Sequence, residues 1–178
     1  MNVIRPQRLQ VGLPAVLSLG SNLGDRETTL REAVAAIIAI PGVTVRAASA
    51  IVETPALKPH GVDEDAPAYL NAVVAIRTVL SPQQLLDATS AIEQQHGRVR
   101  DERWGDRTLD IDIVTFGGFT LGTDTLTLPH PRAASRSFVL APWAAIEPDA
   151  TLPGLGRIDA LLDGLTDIVR PYDSEPLL

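Results

Sequence analysis

The chain contains no cysteine, which excludes disulfide frameworks and thiolate metal sites. It contains a single lysine, Lys58, so almost all of its positive charge is guanidinium. No G-x-x-x-x-G-K-[ST] run and no G-x-G-x-x-G run is present, and the turn from Gly20 to Gly24 has no lysine. A nucleoside triphosphate would therefore have to be held by something other than a phosphate-binding loop. A G-x-S-x-G nucleophile elbow is also missing, which removes the commonest signature of a serine hydrolase. The stretch from Pro14 to Gly20 is too short for a membrane span or a signal core, so a cytoplasmic protein with no membrane partner is expected. The formal net charge of -7 over 178 residues argues against a general nucleic-acid binder, which would present a broad basic face.

An acidic protein can still bind a polyanion when its positive charges are focused. Arg98, Arg100, Arg103 and Arg107 fall within one short stretch. It runs directly into T-L-D-I-D-I-V, residues 108–114, in which Asp110 and Asp112 are two apart. In an extended strand those carboxylates share a face, with Leu109, Ile111 and Ile113 on the other. A lone D-x-D is more often the solvated face of an edge strand. The apolar residues around this one point instead to a buried strand, where like charges need a cation or an arginine between them. A hard divalent ion such as Mg²⁺ suits oxygen ligands, and the nearby arginines suit phosphate oxygens. The arginines also alternate with Asp101, Glu102 and Asp106, so a solvated charged turn is the competing reading. Trp104 and the glycines at 97 and 105 fit a loop that closes over a ligand. His130, fixed between Pro129 and Pro131, could donate to a phosphate or serve the fold. Tyr69 and Asn71 share a strand face and could hold a flat heterocycle by stacking and paired hydrogen bonds, or be a plain cross-strand pair.

The elements follow in the order β-α-β-β-α-β. A short buried strand covers 15–19. A helix starts at Asp25, carries Leu30, Ala33, Val34, Ile37 and Ile38 on one face, and stops at Pro41-Gly42. A β-branched run over 43–54 reads as one strand, and residues 55–67 as a long loop. A strand over 69–79 leads to a helix opened by Ser81-Pro82-Gln83-Gln84, a capping box. The Asp110/Asp112 strand follows, then a possible hairpin to 128 and partly helical segments. This order gives an α+β class, ferredoxin-like, with helices on one face of an antiparallel sheet and a C-terminal helical appendage. Residues 1–13 read as a flexible arm, 14–170 as one domain and 171–178 as a frayed tail.

As a group, these residues resemble the 6-hydroxymethyl-7,8-dihydropterin pyrophosphokinase family of folate biosynthesis. R-W-G-D-R-T-L-D-I-D-I-V at 103–114 is similar to its characteristic motif. Further similar stretches are L-S-L-G-S-N-L-G-D at 17–25, E-T-P-A-L at 53–57, A-Y-L-N-A-V-V at 68–74, I-E-Q-Q-H-G-R-V-R at 92–100 and L-P-H-P-R-A-A-S-R-S-F-V-L-A-P-W at 128–143. They span roughly residues 15–165.

The resemblance implies a monomeric ATP-dependent enzyme that moves pyrophosphate from ATP to the hydroxymethyl group of the dihydropterin and releases AMP. It implies two Mg²⁺ ions on Asp110 and Asp112. ATP contacts are implied for Glu93, Arg98, Trp104, Arg107, His130 and Arg136. Pterin contacts are implied for Thr54, Pro55, Leu57, Tyr69, Asn71 and Phe138. Arg98, Arg107 and Asp112 are the expected catalytic set. Asp112 is the candidate base, unless orientation and metal activation suffice. Three positions depart from the family: Asp106 replaces a usual proline, Asp101 replaces a basic residue of some members, and Thr125 replaces an arginine of some. A non-catalytic ligand-binding module and a metal-dependent phosphohydrolase are the alternatives. Paired aspartates beside arginines disfavour the first. A heterocycle pocket, with no second acidic cluster, disfavours the other.

Overall fold

The structure is a computed structural model that describes residues 11–58, 61–63, 66–97 and 108–178, with only the backbone described at 57–58 and 61–63. The first strand, β1, spans Leu13–Ser21. Helix α1 (Arg26–Ile38) starts where Asp25 accepts the Thr28 N–H, and Glu27 stands in its first turn, where the free N–H groups favour negative charge. Thr29, Leu30, Ala33, Val34 and Ile37 form its buried face. Ile38, expected on that face, is exposed, because it stands about 100° round the helix from Ile37, past the edge of the buried face. At Gly42 the backbone takes φ +84°, a conformation that glycine adopts without strain.

The expected single strand over 43–54 is two strands, β2 (Val43–Ala48) and β3 (Val52–Thr54). Ser49 sits at the break, and its hydroxyl accepts the Val73 N–H at 2.9 Å, so the interruption leaves no backbone donor of the neighbouring strand orphaned there. Part of the expected 55–67 loop forms a small hairpin of β4 (Ala56–Lys58) and β5 (Gly61–Asp63). Strand β6 (Tyr69–Thr78) and helix α2 (Pro82–Gln95) follow. The α2 start is the capping box expected from sequence: Ser81 Oγ accepts the Gln84 N–H and Gln84 Oε1 accepts the Ser81 N–H.

Strand β7 (Asp110–Phe116) leads to a short hairpin of β8 (Leu121–Gly122) and β9 (Thr127–Leu128). Helix α3 (Ser137–Ile146), the pair β10 (Thr151–Leu152) and β11 (Gly156–Arg157), helix α4 (Ile158–Leu162) and strand β12 (Arg170–Pro171) complete the chain.

The main sheet runs β12-β3-β6-β1-β7, and β2 also pairs with β6. Every pairing in it is antiparallel. The expected antiparallel sheet with helices is therefore present, and its helices occupy both faces rather than one. On one face Leu17, Leu19, Leu70, Ile111 and Ile113 pack with Leu30 and Ile37 of α1 and Leu85 and Ile92 of α2. On the other, Val16, Val73 and Val114 pack with Val139, Leu140 and Trp143 of α3. The C-terminal part is thus a second apolar layer. A sheet with inward apolar residues on both faces requires such cover.

Residues 171–178, expected to fray, are docked. β12 pairs with β3, and the Tyr172 N–H donates to the Ile51 carbonyl at 3.1 Å. Arg31 donates to the carbonyls of Glu175 and Pro176. The expected arm lies outside the described residues up to residue 10. Among the described residues no helix is long and apolar enough to cross a membrane.

Candidate active site

Alternation along β7 places the two aspartates. Ile111 and Ile113 enter the core beneath α1 and α2, so Asp110 and Asp112 stand on the face that α3 covers further along. They lie at the open end of that face, where Asp112 is about one-third exposed (32%). The register carries this row across the sheet: Asp110 is opposite Gly20 of β1, and Gly20 is opposite Asn71 of β6. Strand spacing of about 4.8 Å puts the carboxylate and the amide roughly 10 Å apart with no side chain between them. A Cβ at Gly20 would stand 3.1 Å from Asn71 Oδ1.

Asp112 Oδ2 has two partners from the following segment. Arg136 Nη1 donates to it at 3.1 Å, and His130 Nε2 lies 3.5 Å from it. Arg136 sits just before α3, with its guanidinium carbon 5.4 Å from the Phe138 ring centroid, within cation–π range. His130 is tied to β7 by its own N–H, which donates to the Val114 carbonyl at 2.9 Å. Its Nδ1 accepts the Arg132 N–H at 3.2 Å, which assigns the neutral ring's proton to Nε2. Burial pushes the His130 pKa below 6.5. The Asp112 charge opposes that, Arg136 and Arg132 add to it, and Asp110 opposes it more weakly.

Beside this group, at the outer edge of β7, lies a cavity of about 240 Å³ lined by Leu86, Ile111, Asp112, Ile113, Thr125, Leu126, Thr127, His130 and Pro131. It joins apolar walls to a carboxylate and an imidazole, the apolar lining with a few polar groups that small-molecule sites have. Nothing in the local sequence around Leu86 or Leu126 marks them for this place; the strand order brings them together.

On the other side of Gly20, Asn71 Nδ2 donates to Thr54 Oγ1 at 2.9 Å, and both residues are buried. This bond fixes the Asn71 amide, whose Oδ1 faces Gly20. Tyr69, Pro55 and Phe138 are half-buried, and α3 lies against β3 and β6.

The structure therefore gathers Asp110, Asp112, His130 and Arg136 into one group and Thr54 and Asn71 into another, with Gly20 between them. Glu93 is anchored to β7. It is buried, and its Oε1 accepts the Ile111 N–H at 2.8 Å. A buried charge-assisted bond of this kind contributes of the order of 2 kcal/mol, so the carboxylate helps to hold β7 in place. Arg98, Trp104 and Arg107 lie outside the described residues, as does the Leu57 side chain. Asp101 and Asp106 also lie outside them.

Two adjacent carboxylates fit a hard cation. Among the described residues no group of three or more His, Cys, Asp or Glu could hold an ion by itself.

Residues 16–148 match the family described as 7,8-dihydro-6-hydroxymethylpterin-pyrophosphokinase (HPPK). The 2-amino-4-hydroxy-6-hydroxymethyldihydropteridine pyrophosphokinase of Bacillus subtilis is 48% identical over 132 residues, 74% of this chain and 77% of that protein. The enzyme of the same name from Methylorubrum extorquens is 45% identical over 140 residues, 79% of this chain and 86% of that protein. Among solved structures, a Plasmodium falciparum HPPK-DHPS triple mutant matches with TM-score 0.68 at 18% identity, over 88% of this chain and 45% of that one. An HPPK-DHPS crystallised with substrates matches with TM-score 0.66 at 15% identity, over 85% and 43%. The chain spans less than half the length of those two proteins, and at these identities they show a common fold. The match over residues 16–148 and the relatives at 45–48% identity establish that the chain belongs to the 7,8-dihydro-6-hydroxymethylpterin-pyrophosphokinase family.

Proposed function

We propose that the protein transfers pyrophosphate from ATP to the hydroxymethyl group of 6-hydroxymethyl-7,8-dihydropterin and releases AMP, as a step of folate biosynthesis. Family membership supports the class of reaction. The observation that carries the reading to this site is the row Asp110–Gly20–Asn71, which sets carboxylates beside a fixed amide. Asn71, held by Thr54, would read the polar edge of the pterin, with Tyr69, Phe138, Pro55 and the backbone near Leu57 around the ring. The adenosine of ATP would occupy the cavity bordered by Leu86 and Leu126. Its triphosphate would run past His130 and Arg136 toward Asp110 and Asp112. Arg98, Trp104 and Arg107 would close over the phosphates.

Two Mg²⁺ ions, held by Asp110 and Asp112, would neutralise phosphate oxygens on either side of the transferred group. The chain's own residues position the rest. The hydroxyl oxygen forms a bond to the β-phosphorus as the bond from that phosphorus to the oxygen of the AMP phosphate breaks in line. Asp112 is the candidate acceptor of the hydroxyl proton. Arg136, with Arg98 and Arg107, offsets charge gathering on the phosphate oxygens. Holding both substrates in line lowers the barrier by removing the entropy of their encounter.

Five principal strands lie in the order β7-β1-β6, then β2 and β3 along the far edge of β6. That order supports placing the sheet in the ferredoxin-like class, with α3 and α4 added on its second face. A cytoplasmic monomer that needs neither nucleic acid nor membrane completes the proposal.

The deciding experiment measures AMP release from ATP in a matrix with and without Mg²⁺ and dihydropterin. Release that needs both supports the transfer. ATP hydrolysis at the same rate without pterin would show a phosphohydrolase instead.

A further inference from the structure

Arg26 opens α1, and one nitrogen of its guanidinium bridges two distant points of the chain. Nη1 donates to Glu53 Oε1 at 3.0 Å and to the Ala68 carbonyl at 2.7 Å. Glu53 directly precedes Thr54, and Ala68 directly precedes Tyr69. Those two acceptors are the stems of the excursion over residues 55–67. Where the stems meet, Thr54 of β3 pairs with Tyr69 of β6, and Thr54 Oγ1 takes the Asn71 amide.

The base of this bridge is fixed. Asp25, immediately before Arg26, accepts hydrogen bonds from both the N–H and the hydroxyl of Thr28. The outer edge of β3 is held as well: Arg170 stands opposite Glu53 and Pro171 opposite Val52. Strand β3 is thus gripped from both edges. Residue 68 lies just before β6 begins, and Arg26 reaches it from outside the sheet. The ion pair is a quarter to a third exposed (25% and 32%), so its charge attraction is screened and weak. The bond to the Ala68 carbonyl fixes backbone and does not depend on that attraction.

We infer that Arg26 is a positioning residue for the heterocycle side of the site: by clamping both stems of the 55–67 excursion, it sets the spacing of Thr54, Tyr69 and Asn71. This rests on the pterin reading above. It assigns to the start of α1 a part in substrate affinity.

The test compares Arg26→Gln, Arg26→Lys and Glu53→Gln with wild type in steady-state AMP release, with Tm measured on each. Arg26→Gln should raise KM for the dihydropterin about tenfold, the effect of losing one charge-assisted bond. KM for MgATP and kcat should stay within about twofold. Arg26→Lys should recover part of the loss, because the ammonium can still donate to one stem. Glu53→Gln keeps an acceptor for Arg26 and leaves the Ala68 bond in place, so its pterin KM should rise less than that of Arg26→Gln. An unchanged pterin KM in Arg26→Gln, with wild-type turnover intact, would overturn the positioning role alone. A parallel rise of both KM values with a large fall in Tm would also overturn it, since that is the mark of a merely structural contact. Wild-type protein that makes no AMP from dihydropterin and MgATP would overturn the function and the clamp together.

Discussion

Asp112 and Arg136 are joined by a hydrogen bond of 3.1 Å between Oδ2 and Nη1, across 24 residues of chain. The aspartate comes from the sheet and the arginine from the turn that starts α3. The guanidinium holds one oxygen of a proposed metal-binding carboxylate. In the proposed complex the same guanidinium would also face the ATP phosphates. Arg136→Gln should therefore lower kcat/KM for MgATP by at least about tenfold, by removal of a charge-assisted donor from the phosphates. Arg136→Lys should retain part of the activity, since it keeps the charge and loses the forked geometry. Steady-state kinetics with MgATP varied at saturating dihydropterin decides it, and wild-type values in Arg136→Gln would show that Arg136 serves only Asp112.

The carboxylates themselves give a second prediction. Asp110→Ala and Asp112→Ala should each abolish AMP formation and leave the fold in place. Both side chains stand at the open end of their face, and the apolar packing of β7 is carried by Ile111, Ile113, Val114 and Phe116. Tm within a few degrees of wild type, together with loss of Mn²⁺-dependent binding of an ATP analogue, is the expected pair of results. Wild-type turnover in either variant would refute the metal assignment.

His130 links the site to pH. Burial lowers its pKa in the folded protein below 6.5. The unfolded chain then binds the proton more readily than the folded one. Stability from this group is full above about pH 6.5, the ordinary histidine value, and falls as pH drops from there through the lower folded pKa. The Nδ1 contact with the Arg132 N–H works in the same direction, because a protonated Nδ1 could not accept it. His130→Gln should flatten the dependence of Tm on pH between about 5 and 7. An identical slope in wild type and variant would place the titration elsewhere.

The parts legible in the sequence are those governed by local rules. Alternation over 109–113 assigned the faces of β7 because the strand period is two and the apolar partners are large. The α2 start was readable because a capping box is a four-residue contact. Residues with distant partners were not readable in the same way. The bond from Arg136 to Asp112, 24 residues away, leaves no local pattern. Nor does the bond by which Glu93 accepts the Ile111 N–H of β7. The tail pairs with β3 through only two residues, one of them proline, which leaves no strand signal. Helix α3 is so apolar that its pattern does not reveal which face it covers. Val16, Val73 and Val114, which it does cover, read equally well as part of a single core.

Gly20 supplies the last prediction. It stands between Asp110 and Asn71 in register, and a Cβ there would come within 3.1 Å of Asn71 Oδ1 and 3.9 Å of the Tyr69 ring. A contact of 3.1 Å forces Asn71 to move by a few tenths of an ångström. The Asn71 amide is held on its other side by Thr54 Oγ1, so movement strains that bond or turns Oδ1 away from the ligand. Gly20→Ala should thus raise KM for the dihydropterin by roughly tenfold, the cost of one misplaced hydrogen bond. KM for MgATP should change little. Stability should not fall much, because alanine restricts the unfolded chain more than glycine does and partly offsets the crowding. Kinetics with each substrate varied in turn, alongside thermal unfolding, separates the outcomes. Unchanged pterin KM in a folded Gly20→Ala variant would mean that the gap between carboxylate and amide is not where the heterocycle lies.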